Sequence, residues 1–246
     1  MSLFELVAHR GYTLHYPENT LLAIDAAVKA GARFVEVDIQ LSADEVPFLF
    51  HDRSLERLCA EPGALHEYPA SELAHFHAAD RGRFADKFQG TPITRLSELV
   101  TFMQAHPKLT VFIELKRSSI ERFGIDTMVR QTLSLLRPVQ SQCVIISYNI
   151  PALAHVQSEY GWAVGAVVDD WQERTQADIK QLRPEYLFCD LESLPAEGDL
   201  KFNNSHIAVF ECTDPQQAIA LARRGVGFVE TFAIGEMLKQ TNELLG

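Results

Sequence analysis

Short runs of apolar and β-branched residues alternate along this chain with longer segments in which apolar residues recur at helical spacing. This alternation is typical of parallel βαβ units, in which each helix packs on a face of the sheet. The pattern therefore predicts an α/β protein. The predicted strands lie at residues 6–8, 34–39, 46–50, 110–115, 144–147, 163–168, 186–189, 207–210 and 226–231.

Helical patterns lie between most of these strands. Asn19 or Thr20 is suited to cap the first helix, because a side-chain oxygen can accept one of the free N–H groups at its start. Gly31 is suited to end it, because glycine readily adopts the left-handed conformation. The predicted helices cover residues 20–30, 96–105, 122–136, 151–159, 176–182, 215–224 and 235–245.

The connection between the second and third predicted strands is short and contains the polar turn of residues 42–45. A crossover helix does not fit in so short a connection, so we predict an antiparallel hairpin there. Without its second arm, eight parallel strands remain, and the 246 residues are close to the length of about 250 that is typical of a TIM-type (β/α)8 barrel. Folding the hairpin about the Ala43–Asp44 link places His51 opposite Glu36.

Residues 54–92 interrupt the alternation. They contain several prolines and glycines, charged residues and histidines, and a short helix is predicted at residues 71–77. We expect a small insertion within a single barrel domain that covers residues 1–246, since no linker or internal repeat divides the chain. Insertions at the carboxyl end of barrel strands often form part of the binding wall.

Charge and cysteine usage narrow the class of protein. The formal net charge is −11 and no long basic block occurs, which argues against a nucleic-acid partner. The four cysteines are widely spaced without a CxxC pair, which is typical of reduced thiols in a cytoplasmic protein. We also expect neither a signal peptide nor a transmembrane helix, because the chain lacks the long apolar runs that both require.

His9, Arg10 and Gly11 directly follow the first predicted strand. They therefore lie at the carboxyl end of a barrel strand, where enzymes of this fold carry their active sites. Histidine exchanges protons near neutral pH, and arginine can bind two phosphate oxygens at once. The alternative is a polar turn without a chemical role.

Glu36 and Asp38 are two residues apart on the second strand, so their side chains share a face, as do those of Glu114 and Lys116 on a later strand. Carboxylates on one face repel each other unless a cation lies between them. A set of oxygen ligands without sulfur or clustered imidazole suits Mg²⁺ or Ca²⁺. The alternative is a set of internal ion pairs with lysine or arginine and no metal.

Two further polar pairs lie close to these positions in the predicted fold. His51 and Asp52 end the hairpin, and Glu18 and Asn19 open the first helix. A surface turn explains the first pair equally well, and simple helix capping explains Asn19. We expect Glu18 and Asn19 to contact the residues of the site and to hold them in place.

In order and spacing, these residues resemble the signature series of the glycerophosphodiester phosphodiesterase family over residues 5–117. The resemblance implies that Glu36, Asp38 and Glu114 hold one divalent cation, which would be Mg²⁺ or Ca²⁺, with Mn²⁺ as a further candidate. It implies that His9 and His51 form an acid–base pair and that Arg10 and Lys116 bind phosphate. The motifs are His9-Arg10-Gly11, Glu18-Asn19-Thr20, Glu36-x-Asp38, His51-Asp52 and Glu114-x-Lys116.

The expected reaction is hydrolysis of a small glycerophosphodiester to glycerol 3-phosphate and an alcohol. The chain departs from the family pattern on its last two strands, which leaves the head-group specificity open. One alternative is a related barrel phospholipase that acts on lysophospholipids or sphingolipids, and another is a non-catalytic barrel that binds a phosphometabolite. The departing residues are Phe210, Glu211, Cys212 and Thr213 on one strand and Glu230, Thr231 and Phe232 on the other.

Overall fold

The strands of this chain close into a barrel. The computed structural model describes residues 3–246. The strands within this range are β1 Glu5–His9, β2 Phe34–Leu41, β3 Pro47–Leu49, β4 Thr110–Leu115, β5 Cys143–Ser147, β6 Val164–Val168, β7 Tyr186–Asp190, β8 His206–Phe210 and β9 Val226–Thr231. All except β3 are parallel and run in the order β1-β2-β4-β5-β6-β7-β8-β9, and β1 pairs with both β2 and β9. The predicted TIM-type barrel is thereby confirmed.

Helices connect most of the strands on the outside of the barrel. They are α1 Leu21–Ala30, α2 Glu56–Cys59, α3 Ala70–Leu73, α4 Arg81–Phe84, α5 Leu96–Ala105, α6 Arg117–Phe123, α7 Ile125–Leu136, α8 Ile150–His155, α9 Ala177–Leu182, α10 Pro215–Arg223 and α11 Ile234–Leu245. The prediction of one helix at residues 122–136 was wrong, because Gly124, with φ 83°, separates α6 from α7. Among residues 3–246, we find no helix long and apolar enough to cross a lipid bilayer.

The first helix has the predicted ends. The side chain of Thr20 accepts a hydrogen bond from the backbone N–H of Ala23, which satisfies one of the free donors at the helix start. Gly31 adopts the left-handed conformation with φ 107°, and its backbone N–H bonds to carbonyl oxygens of the last turn. Both ends are therefore encoded locally.

Apolar side chains form one layer on the outer face of the barrel strands and another inside the barrel. The alternate residues Val35, Val37 and Ile39 of β2 point outward into the layer between strands and helices. Inside the barrel, the ring of Phe112 makes an edge contact with that of Phe188 at a centroid distance of 5.0 Å. This interior packing closes the barrel below the carboxyl ends of the strands. It consists of Val7, Phe112, Val144, Ile146, Val167, Phe188, Ala208 and Phe228.

The hairpin of β2 and β3 exists, but its register differs from the prediction. Ile39 pairs with Leu49, which places His51 opposite Val37 and not opposite Glu36. The reason is a loop of three residues, closed by the hydrogen bond from Ser42 N to Val46 O, whose last residue adopts a positive φ of 61°. Such a loop shifts the pairing by one residue relative to the predicted two-residue turn.

Residues 54–92 pack on the hairpin. Their apolar side chains form a cluster with Phe48 and Phe50, both of which are buried. The helix predicted at residues 71–77 corresponds to α3, which ends already at Leu73. The insertion also contains α2, α4 and a 3₁₀ turn at Leu65–Glu67, which were not predicted. We propose that residues 1–246 form one barrel domain with residues 54–92 as an insertion, because this cluster includes residues of the hairpin itself.

Candidate active site

Polar side chains meet at the carboxyl end of the barrel, around a cavity of about 80 Å³. They come from the ends of β1, β2, β4 and β9 and from the segment after β3. The cavity is lined by His9, Arg10, Glu36, His51, Glu114, Lys116 and Glu230 together with Ile146, Tyr148, Val167, Phe188 and Phe210. Most of the predicted site residues thus lie in one place, although they are far apart in the sequence.

The three predicted metal ligands lie together. β2 and β4 pair in parallel with Asp38 beside Glu114, and oxygen atoms of Glu36, Asp38 and Glu114 all lie within 4.8 Å of one another. Within residues 3–246, Oε1 of Glu36 is buried and has no hydrogen-bond partner. A buried, unpaired carboxylate oxygen beside two other carboxylates is a suitable ligand for a hard cation, so these residues fit a divalent metal ion.

Electrostatics at this cluster favour a cation. Burial, together with the charges of Asp38 and Glu230, raises the pKa of Glu36 well above its usual range. Burial also opposes ionisation of Asp38, but Lys116 and Arg10 outweigh it and hold the pKa of Asp38 well below its usual value. The cluster therefore holds two carboxyl groups with opposite shifts, and a cation would favour the ionised form of both.

The two predicted phosphate ligands contact the carboxylates. Lys116 Nζ lies 3.1 Å from Asp38 Oδ1 and 3.0 Å from Glu114 Oε1. Arg10 Nε lies 3.1 Å from Asp38 Oδ2, and Arg10 Nη1 lies 3.1 Å from Glu18 Oε1. The ion pairs expected for a site without metal are therefore present. The side chains of Arg10 and Lys116 also line the cavity.

The turn after β1 explains the position of Arg10. Arg10 and Gly11 have positive φ values of 56° and 90°, so the chain bends sharply after His9. A Cβ atom at Gly11 would lie 2.8 Å from atoms of Ala23, so the close approach of α1 requires glycine. The bend lets the backbone N–H of Arg10 donate to Glu36 Oε2 over 3.3 Å.

His9 is held by a residue whose role the sequence did not reveal. Its Nδ1 atom lies 2.8 Å from Oε2 of Glu211, which follows β8, and its ring stacks on Phe232 at a centroid distance of 5.1 Å. Burial, followed by the charge of Arg10, lowers the pKa of His9 well below its usual value. Burial raises the pKa of Glu211 to about 8. The only sequence signal at Glu211 was its departure from the family pattern.

His51 is also paired with a carboxylate. Its Nδ1 lies 2.9 Å from Asp52 Oδ1. Arg57, on α2 of the insertion, donates to both Asp52 and Glu18. Arg57 was not identified from the sequence, because its contacts depend on how the insertion folds back. The guanidinium group bridges these two carboxylates and offsets part of their negative charge, so we regard Glu18, His51, Asp52 and Arg57 as a second hydrogen-bonded network.

Asn19 contacts the carboxylate cluster through Asp38. Its side-chain amide donates to Asp38 Oδ2 over 2.8 Å, and its side-chain oxygen accepts the backbone N–H of Asp38 at 3.1 Å. Glu18 instead bridges Arg10 and Arg57. Both residues are buried.

Glu230 was noted in the sequence only as a departure from the family pattern. It is buried, and its Oε2 lies 4.0 Å from His9 Nε2. Burial, followed by the charge of Glu211, raises the pKa of Glu230 well above its usual range. It adds a further carboxyl group to the wall of the cavity.

Comparisons with known proteins agree on one family. Residues 9–198 match the model of the glycerophosphoryl diester phosphodiesterase family. A glycerophosphodiester phosphodiesterase from Bacillus altitudinis is 28% identical over 150 residues, which are 61% of this chain and 60% of the relative. Glycerophosphodiester phosphodiesterase 1 from Rattus norvegicus is 37% identical over 110 residues, which are 45% of this chain and 33% of that protein. The matched part is thus less than two thirds of either relative.

The fold agrees with a solved structure over nearly the whole chain. The phosphodiesterase from Oleispira antarctica, solved in complex with the product sn-glycerol-3-phosphate, has a TM-score of 0.82. The sequence identity is 22%, and the match covers 97% of this chain and 96% of the other. At this identity, the likeness establishes the barrel fold.

Proposed function

The chain belongs to the glycerophosphoryl diester phosphodiesterase family, and from this membership we propose that it hydrolyses a glycerophosphodiester to glycerol 3-phosphate and an alcohol. The observation that carries the proposal is the meeting of two histidines, three carboxylates and two cationic side chains around one cavity at the carboxyl end of the barrel. The product bound to the Oleispira antarctica enzyme supports glycerol 3-phosphate as the phosphate-bearing half of the substrate.

Glu36, Asp38 and Glu114 would hold one divalent cation, for which Mg²⁺ and Ca²⁺ are the first candidates and Mn²⁺ the next. When bound, the cation supplies Lewis acidity toward a phosphate oxygen. Lys116 and Arg10 then offset the negative charge that develops on the phosphoryl oxygens. Their present contacts with the carboxylates keep both side chains at the cavity.

His9 and His51 move the protons in this mechanism. Each ring has its Nδ1 engaged by a carboxylate, from Glu211 and Asp52 respectively, so Nε2 is the atom available for proton exchange. One histidine removes a proton from the nucleophile, which is either water or a hydroxyl group of the glycerol moiety. In the second case water must afterwards open the cyclic phosphate to give glycerol 3-phosphate. The other histidine donates a proton to the leaving alkoxide, as general acid–base catalysis requires.

A second candidate substrate class is the lysophospholipids. The exposed side chains of Leu14 and Phe232 favour it, because Leu14 N donates to Phe232 O and the ring of Phe232 stacks on His9, which lines the cavity. We infer that the two side chains form an apolar rim there. An apolar rim would accommodate an acyl chain. Comparison of turnover between glycerophosphocholine and lysophosphatidylcholine separates the two substrate classes.

The test of the proposed function is a panel of glycerophosphodiesters incubated with chelator-treated protein and with Mg²⁺, Ca²⁺ or Mn²⁺. We expect release of glycerol 3-phosphate only when a divalent cation is added. Unchanged substrate under every cation would favour the non-catalytic binding barrel, and full activity after exhaustive chelation would contradict the metal site.

A further inference from the structure

The two segments that depart from the family pattern meet at His9. Oε2 of Glu211 lies 2.8 Å from His9 Nδ1, and Oε1 of the same carboxylate accepts the backbone N–H of Phe232 over 2.7 Å. The ring of Phe232 lies parallel to the imidazole, with an interplanar angle of 6°. One carboxylate therefore joins the end of β8, the end of β9 and the histidine after β1.

The strand ends are also connected to each other. Cys212 N donates to Glu230 O over 3.0 Å, so the backbone after β8 cannot shift independently of β9. Glu211 and Phe232 thus form one support, in which the first residue binds an edge of the imidazole and the second covers its face. Loss of Glu211 would remove the hydrogen bond at the edge of the ring, and loss of Phe232 would remove the stacking contact on its face.

We propose that Glu211, held in place by Phe232, is a positioning residue that keeps His9 Nδ1 engaged and presents His9 Nε2 to the reaction centre. This role rests on the proposed function. The other carboxylates near Nε2 are Glu36 at 3.7 Å and Glu230 at 4.0 Å, both beyond hydrogen-bond distance. Among residues 3–246, therefore, Nδ1 is the one ring nitrogen with a partner within hydrogen-bond distance.

The chemical consequence follows from the tautomers of imidazole. A neutral ring carries one N–H donor and one acceptor nitrogen, and the hydrogen bond at one nitrogen decides which is which. When Nδ1–H donates to the ionised Glu211, the lone pair lies on Nε2. The carboxylate also stabilises the imidazolium ion that forms when Nε2 takes up a proton, in the way that an aspartate does in serine proteases.

The direct test is ¹⁵N NMR of the metal-free protein with labelled histidine, in which the signals of His9 are assigned from their loss in His9→Ala. The spectra are recorded at about pH 9, above the pKa of about 8 of Glu211, so that its carboxyl group is ionised. We expect His9 to be protonated at Nδ1 in the wild type and in Thr213→Ala, an exposed control on the same loop. In Glu211→Ala, we expect a mixture of tautomers. Protonation at Nε2 in the wild type, or an unchanged pattern in Glu211→Ala, would overturn the proposal.

Kinetics supply a second, independent test. At about pH 9, where the carboxyl group of Glu211 is ionised, Glu211→Gln should lower kcat by about 10–100-fold with little change in KM, which is the range for loss of the hydrogen-bond partner of a functional imidazole. In the His9→Ala background the same change should have almost no further effect, because the residue acts through His9. Equal losses in both backgrounds would contradict positioning. If the wild type itself does not hydrolyse glycerophosphodiesters, the proposed function fails, whereas the NMR test of the pair still stands.

Discussion

Asn19 contacts Asp38 through both ends of its side-chain amide, with the nitrogen 2.8 Å from Oδ2 and the oxygen 3.1 Å from the backbone nitrogen of Asp38. The first residue directly precedes Thr20, the cap of α1, and the second lies in β2. The pair fixes the rotamer of a carboxylate that the proposed metal site requires. A ligand fixed in this way loses little rotamer entropy when it binds an ion.

The first prediction follows from this pair. Asn19→Ala should weaken binding of the divalent cation by about 10–100-fold, because the Asp38 carboxylate loses the partner that orients it. Isothermal titration calorimetry of the chelator-treated protein measures the affinity, with Asn204→Ala as an exposed control. Native affinity in Asn19→Ala would show either that Asp38 does not bind the metal or that Asn19 does not orient it.

The second prediction is that substitution of Glu36 raises the stability of the metal-free protein and lowers its affinity for the cation. Glu36→Gln keeps the shape and removes an ionisable group whose charged form is disfavoured by burial and by Asp38. The metal-free variant should therefore melt higher than the wild type, by about 2–4 °C for each kcal/mol gained, while its cation affinity falls. Scanning calorimetry with and without the cation tests both effects, and Glu197→Gln is an exposed control. A lower Tm without metal together with unchanged affinity would contradict the account.

The third prediction is a pH dependence of the stability of the metal-free protein. The folded-state pKa of Glu211 is about 8 and its ordinary value is 4.5, so between these values the folded state binds more protons than the unfolded state. The free energy of unfolding should therefore fall as the pH rises through this range. Glu36 and Glu230, whose pKa values are also raised, act in the same direction. In Glu211→Gln the fall between about pH 5 and pH 8 should be smaller, and thermal melts across this range measure it. An identical slope in wild type and variant would contradict the shift at Glu211.

The fourth prediction distinguishes the shape of Arg10 from its charge. Lysine carries the same charge but has no planar fork, whereas the guanidinium group of Arg10 donates to Glu18 from Nη1 and forms an ion pair with Asp38 through Nε. Arg10→Lys should lower kcat/KM by about 5–150-fold, which corresponds to about 1–3 kcal/mol for charge-assisted hydrogen bonds. Arg223→Lys, an exposed arginine on α10, is the matched control. Native kinetics in Arg10→Lys would place the guanidinium group outside the reaction.

The barrel was predictable because its signals are local. Each strand carries its own apolar run, and the period of two residues along β2 put Glu36 and Asp38 on one face, where both are buried. Their proximity to Glu114 follows from the parallel register of β2 with β4. The alternation within each strand marked the three residues as candidates, and the resemblance to the family grouped them into one site.

The hairpin register and the partners of the histidines were not predictable in the same way. The loop before β3 ends in Glu45, a residue type that does not signal a left-handed conformation, so the three-residue turn left no mark in the sequence. Arg57 reaches Glu18 only because the insertion folds back, and Glu211 reaches His9 only because the barrel closes between β1 and β9. Contacts of this kind depend on tertiary closure.

The central claim is that His9 and His51 share the proton transfers of one displacement. His9→Ala and His51→Ala should each lose about 10²–10⁴-fold in kcat on glycerophosphocholine, and the double variant should be little worse than the weaker single variant. His75→Ala is the control, because His75 is an exposed residue of the insertion.

The most direct measurement is the activity of these two single variants on a glycerophosphodiester with a nitrophenyl leaving group, which needs little protonation as it departs. We predict that this substrate restores the activity of the variant that lacks the general acid and leaves the other variant impaired, which assigns the two roles. Rescue of neither variant, or near-native activity of both on glycerophosphocholine, would contradict the two-histidine mechanism.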